Sequence, residues 1–175
     1  MQSKKFLWWK LLAVWIGFLL LHFSYETFPT IVFKVLGEEH ETTFSHMRML
    51  FNAYLIATLV EYFVQRAKIA SASQFWFPRL LVAVAFPWLS ITIWFTAEAL
   101  GFHFASLASD LIYANITTVI GIYLALRMEE AFDEIPLRPA FKWLIVLVFV
   151  AAILSYVLFA FNTPIHFFTE PPMEF

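Results

Sequence analysis

The chain has no cysteine, which excludes disulfides, thiolate metal sites and thiol nucleophiles while leaving the redox compartment open. Charge is nearly as scarce. Only 14% of the 175 residues are charged, where a soluble domain carries roughly a quarter. No basic run exceeds Lys4-Lys5 and the formal net charge is −2, so nucleic acid is excluded as a partner, because its binding rests on neutralising phosphates. Glycine occurs only 4 times. No Gly/Ser-rich linker, low-complexity tract or internal repeat divides the chain, which leaves a single domain over residues 1–175.

Apolar side chains fill the space left by these absences. The hydrophobic fraction is 62%, mean hydropathy is +0.77, and there are 22 Phe and 7 Trp. Lipid is therefore the expected solvent, with aromatic rings as bulk and as interfacial anchors. Lys4 and Lys5 precede an apolar run from Phe6 to Phe23, a pattern shared with secretion signals. No small-x-small cleavage site follows, so this stretch is expected to be an uncleaved first membrane helix.

A membrane helix needs about 20 mostly apolar residues. Five segments qualify: approximately 6–28, 44–65, 76–102, 104–126 and 141–161. The expected fold is all-α, a polytopic membrane helix bundle. Pro29 is expected to stop or kink the first segment, with Ile31-Val32-Phe33 lying along the interface. Pro87 falls inside the third. The substantial loops are Gly37 to Ser45 and Arg127 to Pro139. Counting Lys and Arg by side gives nine on the N-terminal side and two, Lys34 and Arg48, on the other, which predicts an N-in, C-out topology.

That topology gathers all five histidines toward the outer side: His22, His40, His46, His103 and His166. Glu26, Glu38, Glu39, Glu41, Glu98 and Asp110 share it. Ionisable residues at membrane depth are costly and are functional candidates by default. Imidazole nitrogen plus carboxylate oxygen is a ligand set for zinc or a similar divalent metal. The candidate ligands are His22, His46, Asp110 and His166, with Glu26 and Glu41 behind them; His22 and Glu26, four apart, would share a helix face.

Plainer roles stand beside this one. Glu38, Glu39 and Glu41 suit the dipole at the start of the second helix, and Thr42 or Thr43 could cap it. Asp110, with Ser106 and Ser109, could finish the start of the fourth helix. His103 suits a solvated turn. Glu61 is expected to pair with Arg66 or Lys68 by snorkelling, with a proton relay as the competing role. Asn115, Thr117, Thr118 and Gly121 read as helix-packing positions.

Leu21-His22-Phe23-Ser24-Tyr25, the run from His40 to Phe51, Glu61-Tyr62, Asp110-Leu111-Ile112 and Phe161-Asn162-Thr163-Pro164-Ile165-His166 with Glu170-Pro171 together resemble a family of small prokaryotic membrane proteins of unassigned function. In that family a His-Phe pair ends the first helix, and the next loop reads roughly Asn-Glu-Ser-x-Trp-Glu-His-x-Lys-Leu. The resemblance implies five helices in a prokaryotic inner membrane and points to His22, Glu41, His46, Glu61, Asp110 and His166. This chain departs from it at His40, Thr42, Phe44 and Ser45. Thr42-x-x-x-His46, Asp110 and His166 also echo, more distantly, the zinc-binding pattern of ceramidase-like membrane hydrolases; two helices and a His-x-x-x-His pair are missing.

Three functional expectations follow. One is an extracytoplasmic metal site, extended in one version to hydrolysis of a lipid-like ester or amide. The second is a non-enzymatic subunit packed in membrane lipid against other membrane proteins. The third is haem held by His22 and His46, or a small transporter or channel. Enzyme activity is left open.

Overall fold

The computed structural model describes residues 4–37, 39, 42–102 and 106–162. Among them every regular element is helical: α1 (Lys4–His22), α2 (Ser24–Thr27), α3 (Ile31–Leu36), α4 (Thr43–Gln65), α5 (Ala72–Ala99), α6 (Leu107–Asp133) and α7 (Pro139–Phe159), with one 3₁₀ turn at Arg66–Lys68. Four stretches, Thr43–Lys68, α5, α6 and α7, are long and apolar enough to cross a membrane; the apolar part of α1, Leu7–His22, is shorter.

The ends of these helices follow their capping chemistry. Thr42 caps α4: its hydroxyl accepts from Ser45 N, and the Ser45 hydroxyl accepts from Thr42 N. Ser106 and Ser109 repeat that reciprocal box at α6, and Ser71 caps α5. Each satisfies N–H groups that a helix start leaves without partners. Pro139 opens α7, where its missing N–H costs nothing. Gly101, at φ 80°, makes the tight exit from α5.

Three expectations are corrected. The first helix breaks at Phe23, well before Pro29, where the Ser24 hydroxyl donates to the Leu21 carbonyl at 2.7 Å. A second break at Phe28 and Pro29 then separates α2 from α3. The segment expected over 104–126 begins later and runs on to Asp133, so the acidic stretch expected to be a loop is helical and carries Glu129 inward. The third segment starts earlier, at Ala72, which places Pro78 as well as Pro87 inside it.

Contacts between helix ends give an up-and-down bundle. The start of α1, the end of α4, the start of α5 and the end of α6 meet through Lys10, Glu61, Arg79 and Glu129. At the other end His22 of α1 meets His46 of α4, and Phe159 of α7 meets Phe44 of α4. The core between is dense: Val14, Met47, Tyr54, Val82, Phe86 and Ile122 are fully buried. Gly121 lets α6 lie directly on α5, since a Cβ there would run into Ser90. The large apolar residues of α7, Leu147, Leu154 and Leu158 among them, face outward, and only Ile145 and Tyr156 of that helix are buried.

α2 and α3 fold back over the histidine end. The buried Arg48 donates from Nε and Nη2 to the Gly37 carbonyl at 3.2 and 2.6 Å, and Asn52 Nδ2 donates to the Leu36 carbonyl at 2.9 Å. These side chains satisfy carbonyls that the end of α3 leaves without helical partners. Arg48, counted from the sequence as an outer cation, is a buried structural donor.

Candidate functional site: an ion quartet and a histidine pair

Four buried charges from four helices meet at one end of the bundle. Lys10 Nζ donates to Glu61 Oε2 and to Glu129 Oε2, each at 2.6 Å. Arg79 reaches the same two carboxylates from the other side, with Nη2 2.9 Å from Glu61 Oε1 and 2.8 Å from Glu129 Oε1. Tyr54 completes the cluster, its hydroxyl donating to Glu129 Oε2 at 2.5 Å, while Lys10 Nζ also sits 4.8 Å from the Tyr54 ring centroid. The four charged side chains are at most 3% exposed.

Two cations bridging two carboxylates make a neutral quartet. Arg79 extends it to the surface. Its Nη1 donates to the Phe75 carbonyl and to Asp133 Oδ1, each at 2.9 Å, and its guanidinium lies over the Phe75 ring at 3.8 Å. Asp133 is the outermost member, with 28% of its side chain exposed. Transferring charges from water is expensive, and an arrangement of this kind survives only when the ions satisfy one another and are fully hydrogen-bonded. Every nitrogen of the Arg79 guanidinium has a partner.

This geometry corrects the expectation for Glu61. Its carboxylate does not snorkel toward Arg66 or Lys68; it points inward to Lys10 and Arg79. Sequence reasoning missed Lys10, Arg79 and Glu129 as a group. A signal was present in helical phase. Lys10 falls on the buried stripe of Leu7, Leu11, Val14, Phe18 and Leu21, and Glu129 on that of Gly121, Ile122, Ala125 and Leu126. In a helix apolar on every side, however, such a stripe does not stand out from its outward-facing neighbours.

The proposed outer site is brought together in part. His22 and His46 lie with ring centroids 5.3 Å apart and planes tilted by 41°. Phe18 flanks both rings, at 6.1 and 6.2 Å. His46 Nδ1 lies 2.8 Å from the Thr42 carbonyl. A carbonyl only accepts, so this contact is a hydrogen bond when the proton sits on Nδ1. Rings this close suit a shared ion or a hydrogen bond better than a haem plane set between them.

The remaining candidates fall elsewhere. Glu26 lies in α2, past the break at Phe23, and is exposed, so it does not continue the His22 face. Asp110 is half-buried in the first turn of α6, behind the Ser106 and Ser109 cap. Glu39 pairs with Lys34 and accepts from the Tyr25 hydroxyl. Glu38, His40, Glu41, His103 and His166 lie outside the described residues. Among the described residues no three His, Asp or Glu side chains are placed to share a metal ion. No family model, no curated protein and no solved structure matches this chain.

Proposed function

We propose that the protein is an integral membrane protein of five spans, N-terminus inside and C-terminus outside, that serves as a non-enzymatic packing subunit of a larger membrane assembly. α1 is the fifth span. Its apolar part, Leu7–His22, covers about 24 Å at 1.5 Å per residue, a few ångströms under the roughly 30 Å of a hydrocarbon core, a mismatch that local thinning of the bilayer accommodates. The quartet end carries the excess of Lys and Arg, which supports its placement on the cytoplasmic side. The motif resemblance implies a prokaryotic inner membrane.

The neutral quartet is the observation that carries this proposal. Its charges are engaged with one another, so the polar interior acts as a keystone joining α1, α4, α5 and α6. The links from α4 to α5, α5 to α6 and α6 to α7 are short, and the outward faces are apolar along α5, α6 and α7. Chemistry directed outward is then mostly contact with lipid and with other helices. Extraction in mild detergent followed by mass measurement tests this: a larger, stoichiometric membrane complex is expected, and a monodisperse monomer overturns the subunit role.

The histidine pair favours a second reading, in which His22 and His46 supply two ligands of a divalent metal such as zinc. The Nδ1 anchor on the Thr42 carbonyl supports it, because ligating imidazoles are commonly held by their other nitrogen in this way. Elemental analysis of purified protein, with His22→Ala and His46→Ala variants, decides. Bound zinc lost in both variants is expected; absent metal with unchanged stability ends it.

A further inference from the structure

At the quartet end, a cavity of about 170 Å³ lies between the start of α5 and the turn joining α6 to α7. Ser71, Ser73, Gln74 and Lys142 form its polar side, and Ile135 and Leu137 part of its apolar side. We propose that this cavity receives the phosphate headgroup of an anionic lipid.

Size comes first. Pockets for whole small-molecule substrates run to about 300–1,000 Å³, while one water accounts for about 30 Å³. A space of 170 Å³ suits a phosphate ester group and little more. The charge is also right. Lys142 Nζ donates to Ser73 Oγ at 2.6 Å and lies 5.2 Å from the Phe77 ring centroid, which fixes the cation at the cavity wall. No carboxylate lines the space. The nearby Asp133 side chain is turned toward Arg79, and its carbonyl accepts from Gln74 Nε2 at 2.8 Å. An ammonium with further donor capacity, two hydroxyls and an apolar wall match a phosphodiester whose tail continues into lipid.

The position matches as well. Trp8 and Trp9 near the start of α1 and Trp143 near the start of α7 are exposed at this same end, where indole rings mark the headgroup layer. Basic pockets between membrane helices on the cytoplasmic side are recurrent anionic-headgroup sites. The inference rests on the membrane reading above, and its test separates the two.

The full chain is placed in nanodiscs of phosphatidylcholine doped with phosphatidylglycerol, and lipids retained after release are counted by native mass spectrometry. Retention of the chain in the disc reports membrane insertion independently. Phosphatidylglycerol is expected to be enriched about fivefold on the protein, the order of one lysine at a membrane surface. Enrichment should fall to the disc ratio in Lys142→Gln and in Leu137→Trp, which fills the cavity and keeps the charge. It should persist in Lys142→Arg and in Arg127→Gln, an exposed cation outside the cavity. Enrichment unchanged in Lys142→Gln, or surviving Leu137→Trp, overturns the site. Inorganic phosphate that abolishes the enrichment at millimolar concentration overturns the lipid as its source.

Discussion

At the scale of single residues, the quartet concentrates the largest energies. Removing one member leaves the buried cluster with one charge unbalanced, a state that costs about 3–5 kcal/mol where simple buried pairs have been broken. Lys10→Met and Glu129→Gln are each expected to destabilise the bundle by that order, measured by reversible unfolding in mixed micelles. The two partners touch at 2.6 Å, so the double variant, which restores charge balance, should cost clearly less than the sum. Strict additivity would show that the quartet does not act as a unit. The contrast with Arg127 and Glu130 is instructive: that ion pair sits at the surface, with Arg127 56% exposed, and its loss should barely register.

At the scale of elements, two contacts set how the helices meet. A Cβ on Gly121 would collide with Ser90, whose buried hydroxyl has no hydrogen-bond partner among the described residues. Gly121→Ala should cost about 1–3 kcal/mol through overpacking, and adding Ser90→Gly should recover most of it. A Gly121→Ala protein as stable as the parent would mean that α5 and α6 do not approach this closely. The second contact is Arg48 on the end of α3. Arg48→Met should speed hydrogen exchange over residues 31–37 while leaving α4 to α7 protected, because the Gly37 carbonyl that closes α3 loses its guanidinium donor. Equal exchange in both proteins would remove Arg48 from that role.

At the scale of the whole molecule, the proposed topology dissolves the chain in lipid with its two polar clusters at opposite ends. The absence of cysteine makes a clean labelling experiment available. Glu39→Cys should react with an impermeant maleimide from outside intact cells, and Glu134→Cys only after permeabilisation. Reaction of both from the same side would reverse or collapse the topology. Much of this architecture was legible in advance. Four segments of apolar length match α4 to α7, with α4 placed to within a residue; of the two threonines offered as its cap Thr42 is the one used, and Ser106 with Ser109 does finish the start of α6. The break at Phe23 was not, because no proline or glycine marks it. The helical Arg127–Asp133 stretch was missed because acids near a helix end look solvated until a partner from elsewhere is known.

Composition and hydropathy determined that the chain forms a bundle of apolar helices, because a chain so poor in charge and so rich in long apolar runs satisfies its backbone groups within helices whose faces pack against one another. They also named His22 and His46 among the candidate ligands, since one lies near the end of the first apolar run and the other near the start of the second segment. Only the tertiary structure decided that Lys10, Glu61, Arg79 and Glu129 form one neutral cluster. Their sequence separations are up to 119 residues, and a local pattern fixes neither the rotation of a helix nor which charge it will face.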